Sequence, residues 1–497
     1  MTAMRLLPLT VLLVALGTPL TGFGATISQE ECIRQAVSLN SGLQSFAATS
    51  AVAAEEINIS RSALLPALNL RSFFTLRDKA DHLLIDANVF GPGFPSQKTS
   101  ISTGSTDSYG IQLSLRQPLF TGGALIAAHQ KAGHESAAAA HNYSRQTTLL
   151  IFQIKKTYNE ALIADGRIQA AEKAVLAAKE RLQVAMARQD EGYVQRDEVL
   201  RLEAHLAMAQ AVLLKNRNRS HQVRSRLRQL VGLKPGAEIE VTGRPAILKL
   251  DVSLQDLIQG LERRDDINSS REKAAAAEAD ITIARSGFLP QVFLEGSYLR
   301  QKETSITRPA IWSLSVQAEW SLFEWGRTRS SVSRAVAQHS SRNLALEELK
   351  GQARLEIEEA WRDMLELQSL VTANEKMVKA EEATLARTIV NWSEGSARVD
   401  DVVSSEAVVW EAYDRYCQSA ASLNSAFAAL EAATSGDVSR WTTQENLYRP
   451  NFEDYALLIK RGGATVPDAS TSSEKPHNAD IITGTETIPK RSDHGAR

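Results

Sequence analysis

The chain has 497 residues, a formal net charge of −2 and two cysteines. Near-neutral charge gives no electrostatic reason to expect nucleic acid, and two cysteines exclude a disulfide framework; Cys32 and Cys417 leave room for a single bridge, and buried free thiols are the expected state. Length alone would allow several ordinary domains. Abundant alanine with modest glycine and proline suits long, closely packed helices instead.

In chain order, Met1–Gly24 is expected to be a secretory signal: Arg5 supplies positive charge, Leu6–Leu16 an apolar core, and Gly22 and Gly24 small residues at the cleavage positions. No later segment has eighteen consecutive apolar residues, so no transmembrane helix is expected. Residues 25–235 form a first repeat. A helix expected over about Gln29–Ala63 ends at Pro66, which has no N–H to donate and pushes Leu65 out of the α region. The next stretch alternates, with Leu68, Leu70, Phe74 and Leu76 against Asn69, Arg71, Thr75 and Arg77. After a polar, breaker-rich loop from Arg77 to Ser108, Ile111, Leu113 and Leu115 alternate with Gln112, Ser114 and Arg116. Strands are therefore expected at about 67–77 and 109–119.

From about 124 to 190 there is no proline and little glycine. A single helix of that length is about 100 Å long, roughly three times a bilayer's hydrocarbon core. It should break at Gly192, with Asp197 the natural N-cap of a returning helix over about Glu198–Leu230.

Residues 251–436 repeat this order. Arg61-Ser62-x-x-Leu65-Pro66 returns as Arg285-Ser286-x-x-Leu289-Pro290 at a shift of 224. Leu119-Phe120-x-x-Gly123 returns as Leu322-Phe323-x-x-Gly326 at a shift of 203, which still holds at Gly192/Gly395, Asp197/Asp400 and Glu203/Glu406. The second copy should hold a helix at about Gln255–Ser286, strands at about 291–300 and 311–322, a long helix at about 327–393, and a reversal at Gly395 with Asp400 as cap of a helix over about Asp401–Thr434. Short plus short equals long, so each returning helix should stack end to end on a preceding one beside the long helix. The tail, 437–497, should be disordered from about 462, where Ser, Thr, Pro and charge dominate.

A soluble half-buried sheet would also alternate. Trp312 and Trp320, however, flank the apolar band of the last strand as interfacial aromatics do, and the other face carries Arg71, Arg116 and Glu319. Four strands cannot close a channel, because about eight only fill their own interior. If they lie in lipid, several chains share one barrel.

The duplicated Pro switch, the Leu-Phe-x-x-Gly strand ends and the Gly…Asp-x-Val…Glu-Ala reversals together resemble TolC-type outer-membrane efflux proteins, over roughly Thr26–Gly436. The resemblance implies a mainly α fold with a small transmembrane β part. It is a duplicated helix–strand–strand–helix repeat whose four strands join a trimeric 12-stranded barrel continuous with a long helical periplasmic barrel. It implies a homotrimer in outer-membrane lipid, a periplasmic adaptor, an inner-membrane transporter, and passive conduction with no cofactor. It also places an entrance gate at Asp400 and Asp401, with Arg398 near a basic residue that holds the entrance shut; a further expected acid is Ser404 here. Carboxylate rings select cations, whereas the plain structural reading is helix capping. Asn40-Ser41 and Arg264-Asp265 lack the prolines of the family pattern. The rival reading is a periplasmic coiled-coil adaptor or scaffold. An enzyme is not expected. His134-Glu135 is followed by His141, off the metalloprotease spacing, His129, His134 and His141 share no single face, and no nucleophile elbow occurs.

Overall fold

The computed structural model describes residues 26–242, 246–250, 252–302, 309–434 and 442–448. The expected signal segment and the expected disordered tail from 462 lie outside the described residues. The first repeat runs β1 (Thr26–Ile27), α1 (Gln29–Leu39), α2 (Ser41–Ser62), β2 (Ala67–Leu76), β3 (His82–Ile85), β4 (Thr99–Ser102), β5 (Asp107–Phe120), α3 (Ala124–Asp190) and α4 (Arg196–Val231). Then come β6 (Glu240–Val241), β7 (Ala246–Leu250), α5 (Leu254–Gln259), α6 (Asp265–Ser286), β8 (Gln291–Gln301), β9 (Ala310–Glu319), α7 (Arg327–Ser393), α8 (Val399–Thr434) and β10 (Thr442–Asn446).

The four long strands form one antiparallel sheet, ordered β2-β5-β8-β9. Its register aligns the alternation of every strand. Leu70 lies opposite Leu113, Leu113 opposite Tyr298, and Tyr298 opposite Trp312. One residue along, Arg71 lies opposite Gln112, and Arg116 opposite Glu295. Because side chains alternate, one face is mainly apolar, with Ser72, Asp107, Gln117 and Arg300 towards its margins or between apolar neighbours, and the other is mostly polar. The last strand ends at Glu319, so Trp320 and Leu322, expected within it, lie past its end. In the loop after β2, β3 and β4 make a hairpin that composition did not reveal.

The two long helices are 67 residues each, as their uninterrupted composition requires. In α3 the buried stripe is largely alanine, including Ala161, Ala164, Ala171, Ala174, Ala178 and Ala185. Small side chains let neighbouring backbones approach closely along the whole length. The helices before each proline are not continuous, contrary to expectation. The first breaks at Asn40, whose backbone is extended (φ −66, ψ 114), and the second at Arg264 (φ −64, ψ 133), just after a single 3-10 turn over Leu261–Arg263. The breaks need no proline because each is held by a side chain. Asn40 accepts from the Leu43 N–H (2.9 Å) and donates to the Leu230 carbonyl at the end of α4 (2.8 Å). Arg264 is buried and donates to the Ala433 carbonyl at the end of α8 (3.0 Å), to Asp266 (2.7 Å) and to Glu356 (2.8 Å). Each contact places a returning helix end against a helix start, so α4 stacks on α2 beside α3, and α8 on α6 beside α7. At the first joint a Cβ on Gly232 would lie 2.7 Å from the Leu39 carbonyl oxygen, and its φ is +83. Only glycine fits there.

Both joints are wrapped by short strands that the sequence did not announce. β1 pairs with β6, and β7 pairs antiparallel with β10 of the tail. Tyr448, just past β10, donates from its hydroxyl to Glu382, while its N–H donates to the Tyr416 hydroxyl (3.1 Å). Neither Cys32 nor Cys417 is in a disulfide, and both are buried, in different clusters. Burial, with Glu31 nearby, pushes the Cys32 thiol to about 11.

Between the repeats, the buried Arg181 of α3 pairs with the buried Glu406 of α8. His205 of α4 lies in the same field. Desolvation holds its pKa below the ordinary 6.5, with Arg181 acting in the same direction and Glu406 against it. Its Nδ1 is buried without a hydrogen-bond partner among the described residues. The unfolded chain therefore binds a proton near pH 6.5 that the folded chain resists, and stability should fall as pH drops below that value. Denaturation midpoints measured from pH 8 to pH 5 should show this decline, and His205→Leu should flatten it. At the joints, Arg264→Ala removes the cation from a buried ion cluster and should cost about 3–5 kcal/mol, against about 1 kcal/mol for the cap Asn40→Ala. Parallel unfolding curves of the two variants would check that order.

Candidate functional site

The end of the molecule far from the sheet is built from the two reversals. After α3 the N–H of Gly192 bonds the Gln189 carbonyl (2.9 Å) and that of Tyr193 bonds the Arg188 carbonyl (2.9 Å). After α7, Gly395 bonds Trp392 (3.0 Å) and Ser396 bonds Asn391 (2.9 Å) in the same pattern. Both glycines are left-handed, at φ +82 and +77, and nothing lies within 4 Å of a Cβ built on either. Conformation, not space, requires glycine there.

The expected caps are displaced. α4 starts at Arg196 with Gln195 as its cap residue, and α8 starts at Val399, so Asp197 and Asp400 lie inside the first turn rather than ahead of it. Val199, Val399 and Val402 in the first turns are buried in one cluster with α3 and α7. The charges of the two aspartates still suit the N-terminal dipole. Asp401 takes up a capping role, its carboxylate accepting from the Arg398 N–H at 2.9 Å.

Asp400 is engaged differently. It pairs with Arg201 of α4, and the Arg398 guanidinium stands 3.9 Å away. The hydrogen bond to Asp400, and then its charge, push the Arg201 pKa up. Arg201 was not singled out from the sequence. The signal was present, because the shift of 203 carries Arg201 onto Ser404, the position where a further acid was expected. The structure thus brings Asp400, Asp401 and Arg398 together at one tip and adds Arg201.

Behind these charges lies an apolar seal of Ala185, Val199, Leu202, Leu385, Ile389, Trp392, Val399, Val402 and Val409. The Arg188 guanidinium sits 5.3 Å from the Trp392 ring centre. An exposed ion pair such as Arg201–Asp400, with side chains 51% and 40% exposed, is worth about 0.2–1 kcal/mol. Each large apolar side chain of the seal contributes about 1.5–3 kcal/mol on burial. The seal dominates the cohesion of the tip, and the ion pair sets its charge and alignment.

At the opposite end Trp312 is 76% exposed on the apolar face, and Trp320 is 57% exposed with its indole N–H donating to the Phe288 carbonyl (3.1 Å). Trp312 lies within β9 and Trp320 one residue past its end, on either side of Leu314 and Val316. The histidines of α3 serve packing. His129 meets Ser60 (3.0 Å), His134 meets Glu272 (2.7 Å) and His141 meets Asp265 (2.9 Å). Among the described residues no cluster of His, Cys, Asp and Glu could hold a metal ion.

Comparison with known proteins agrees with this architecture. The alkaline protease secretion protein AprF of Pseudomonas aeruginosa is 24% identical over 298 residues, covering 57% of this chain and 60% of that protein. The chain thus spans about three fifths of the length of this curated relative. A membrane protein from Pseudomonas aeruginosa has the same fold, with a TM-score of 0.70 and 18% identity over 82% of this chain and 93% of that one. The outer membrane protein VceC of Vibrio cholerae matches with a TM-score of 0.67 and 19% identity over 82% and 96%. The profile of outer membrane efflux proteins matches residues 32–233 and 257–436. Two matched halves, each carrying a Pro switch, a strand pair, a long helix and a glycine reversal, account for most of the chain: it belongs to the outer membrane efflux protein family.

Proposed function

We propose that the chain is the outer-membrane channel of a tripartite efflux or type I secretion system. It conducts cargo passively from an inner-membrane pump across the periplasm and the outer membrane. One observation carries this reading. A four-stranded sheet with a mainly apolar face, and with both edges unpaired among the described residues, is fused to helices about 100 Å long. Leu70, Phe74, Leu314 and Val316 on that face are each more than 60% exposed in the single chain. Lipid removes that cost, and only a closed barrel satisfies the edges within lipid. Three copies give twelve strands, and their helices form the tunnel beneath.

The tip is the proposed docking end for the periplasmic adaptor and inner-membrane transporter, and the proposed gate. Arg201–Asp400 joins the first repeat to the second there, so widening the tip separates them. The likeness to a protease secretion protein supports type I secretion as one of the two systems. The scaffold reading would leave the apolar sheet face in water, and nothing in the architecture favours it.

Single-channel recording of the purified protein in a planar bilayer tests both parts. The protein should give small, cation-selective currents. Arg201→Ala and Asp400→Ala should each raise open probability, up to about fivefold for a pair worth ~1 kcal/mol, and Asp400→Ala should reduce cation selectivity. Currents indifferent to both substitutions would remove the gate and leave the channel. Failure of the folded protein to insert would remove the channel itself.

A further inference from the structure

Ten ion pairs among the described residues link the first repeat to the second, and three of them have charged counterparts at both repeat-related positions. Arg116 of β5 meets Glu295 of β8 (3.3 Å), Lys131 of α3 meets Asp280 of α6 (2.9 Å), and Lys155 of α3 meets Glu431 of α8. The repeat shifts, 203 for β5, α3 and α8 and 224 for β8 and α6, carry each pair onto two further residues. Arg116 and Glu295 map to Glu319 of β9 and Arg71 of β2. Lys131 and Asp280 map to Arg334 of α7 and Glu56 of α2. Lys155 and Glu431 map to Glu358 of α7 and Arg228 of α4. Every mapped pair is again one cation and one anion, although the sign is reversed in two of them.

β9 and α7 lie on one flank of the chain, and β2, α2 and α4 on the other, so the members of each mapped pair cannot meet in one molecule. Glu319, Arg71, Arg334 and Glu56 are exposed, and among the described residues none of them forms an ion pair. Glu358 and Arg228 have local partners, Arg354 (3.1 Å) and the Ala237 carbonyl (3.0 Å). The other ion pairs between the repeats, such as His134–Glu272, Arg167–Asp414 and Arg181–Glu406, map to positions where at least one member is uncharged. None maps to two like charges.

A sign reversal that preserves attraction is what a contact requires and what chance similarity between repeats does not supply. We infer that a second copy of this chain docks head to tail in the register of the internal contact, with Glu319 opposite Arg71 of the next copy, Arg334 against its Glu56, and Glu358 against its Arg228. The occupant of each flank is the other flank of an identical molecule, a heterologous interface that closes into a ring when the rotation allows. The same rule fixes the strand register. Leu113 lies opposite Tyr298, so Val316 of β9 lies opposite Phe74 of the neighbouring β2. This rests on the proposed trimer and specifies its seam residue by residue.

The test uses the full chain in native membranes with Cys32→Ser and Cys417→Ser. Adding Val316→Cys and Phe74→Cys and then oxidising should link subunits covalently up to the closed ring, since directly opposed strand residues have the spacing a disulfide needs. Leu314→Cys with Phe74→Cys, two residues out of register, should not. In the otherwise unaltered chain, Glu319→Arg and Arg71→Glu should each speed subunit dissociation about tenfold, and the double exchange should restore it. Linking only out of register, or no rescue by the double exchange in a protein that sediments as a trimer, overturns the seam and spares the trimer. A monomer in membranes overturns both.

Discussion

The free edges of the sheet constrain everything else. β2 and β9 each present a row of N–H and C=O groups without strand partners among the described residues. Lipid offers no water to satisfy such groups, and each left bare costs several kcal/mol. A sheet that is apolar on one face and open at both edges is therefore stable in a membrane only as part of a larger closed sheet. The register that aligns Leu70, Leu113 and Tyr298 on one face also aligns Arg71, Arg116 and Glu295 on the other. A slip of one residue would put arginines into the apolar band.

Below the sheet the constraint is length. A 67-residue helix needs covering neighbours for its whole extent, and the chain supplies them by stacking two shorter helices end to end beside each long one. The joints carry unequal chemistry. The first is held by an amide and a glycine that permits close backbone contact, and the second by a buried guanidinium at the carbonyl end of α8. Burial works against the Arg264 charge, yet hydrogen bonds to Asp266 and Glu356 outweigh it and its pKa is raised. The tail strand β10 and Tyr448 close over this second joint, which ties the tail to the repeat it follows.

At the far tip, magnitudes separate two roles. The apolar seal holds the two helical hairpins together, while Asp400, Arg201 and Arg398 contribute little energy and much charge. A proposed gate needs that division. A tip cemented by buried ion pairs would not open readily, whereas exposed pairs can exchange partners with water at small cost. The strongly held pair, Arg181–Glu406, lies deeper, between the repeats and behind the tip.

Much of this was legible from residues alone. Proline at 66 and 290 and glycine at 192 and 395 set the switches and reversals, because both residue types restrict or permit backbone angles whatever surrounds them. Uninterrupted helix formers set both long helices to their full extent, and alternation set the four strands to within a few residues. What escaped was settled by partners distant in sequence. The breaks at Asn40 and Arg264 depend on carbonyls at Leu230 and Ala433, the strands β7 and β10 on each other, and the role of Arg201 on an aspartate in the other repeat. α4 and α8 begin ahead of Asp197 and Asp400, with Val199 and Val399 of their first turns buried, so the acids sit inside the helices rather than at their caps. Local backbone chemistry is written at each position of the chain. A hydrogen bond or ion pair between residues some two hundred positions apart exists only once the fold has brought them together, and the tertiary structure alone decided those.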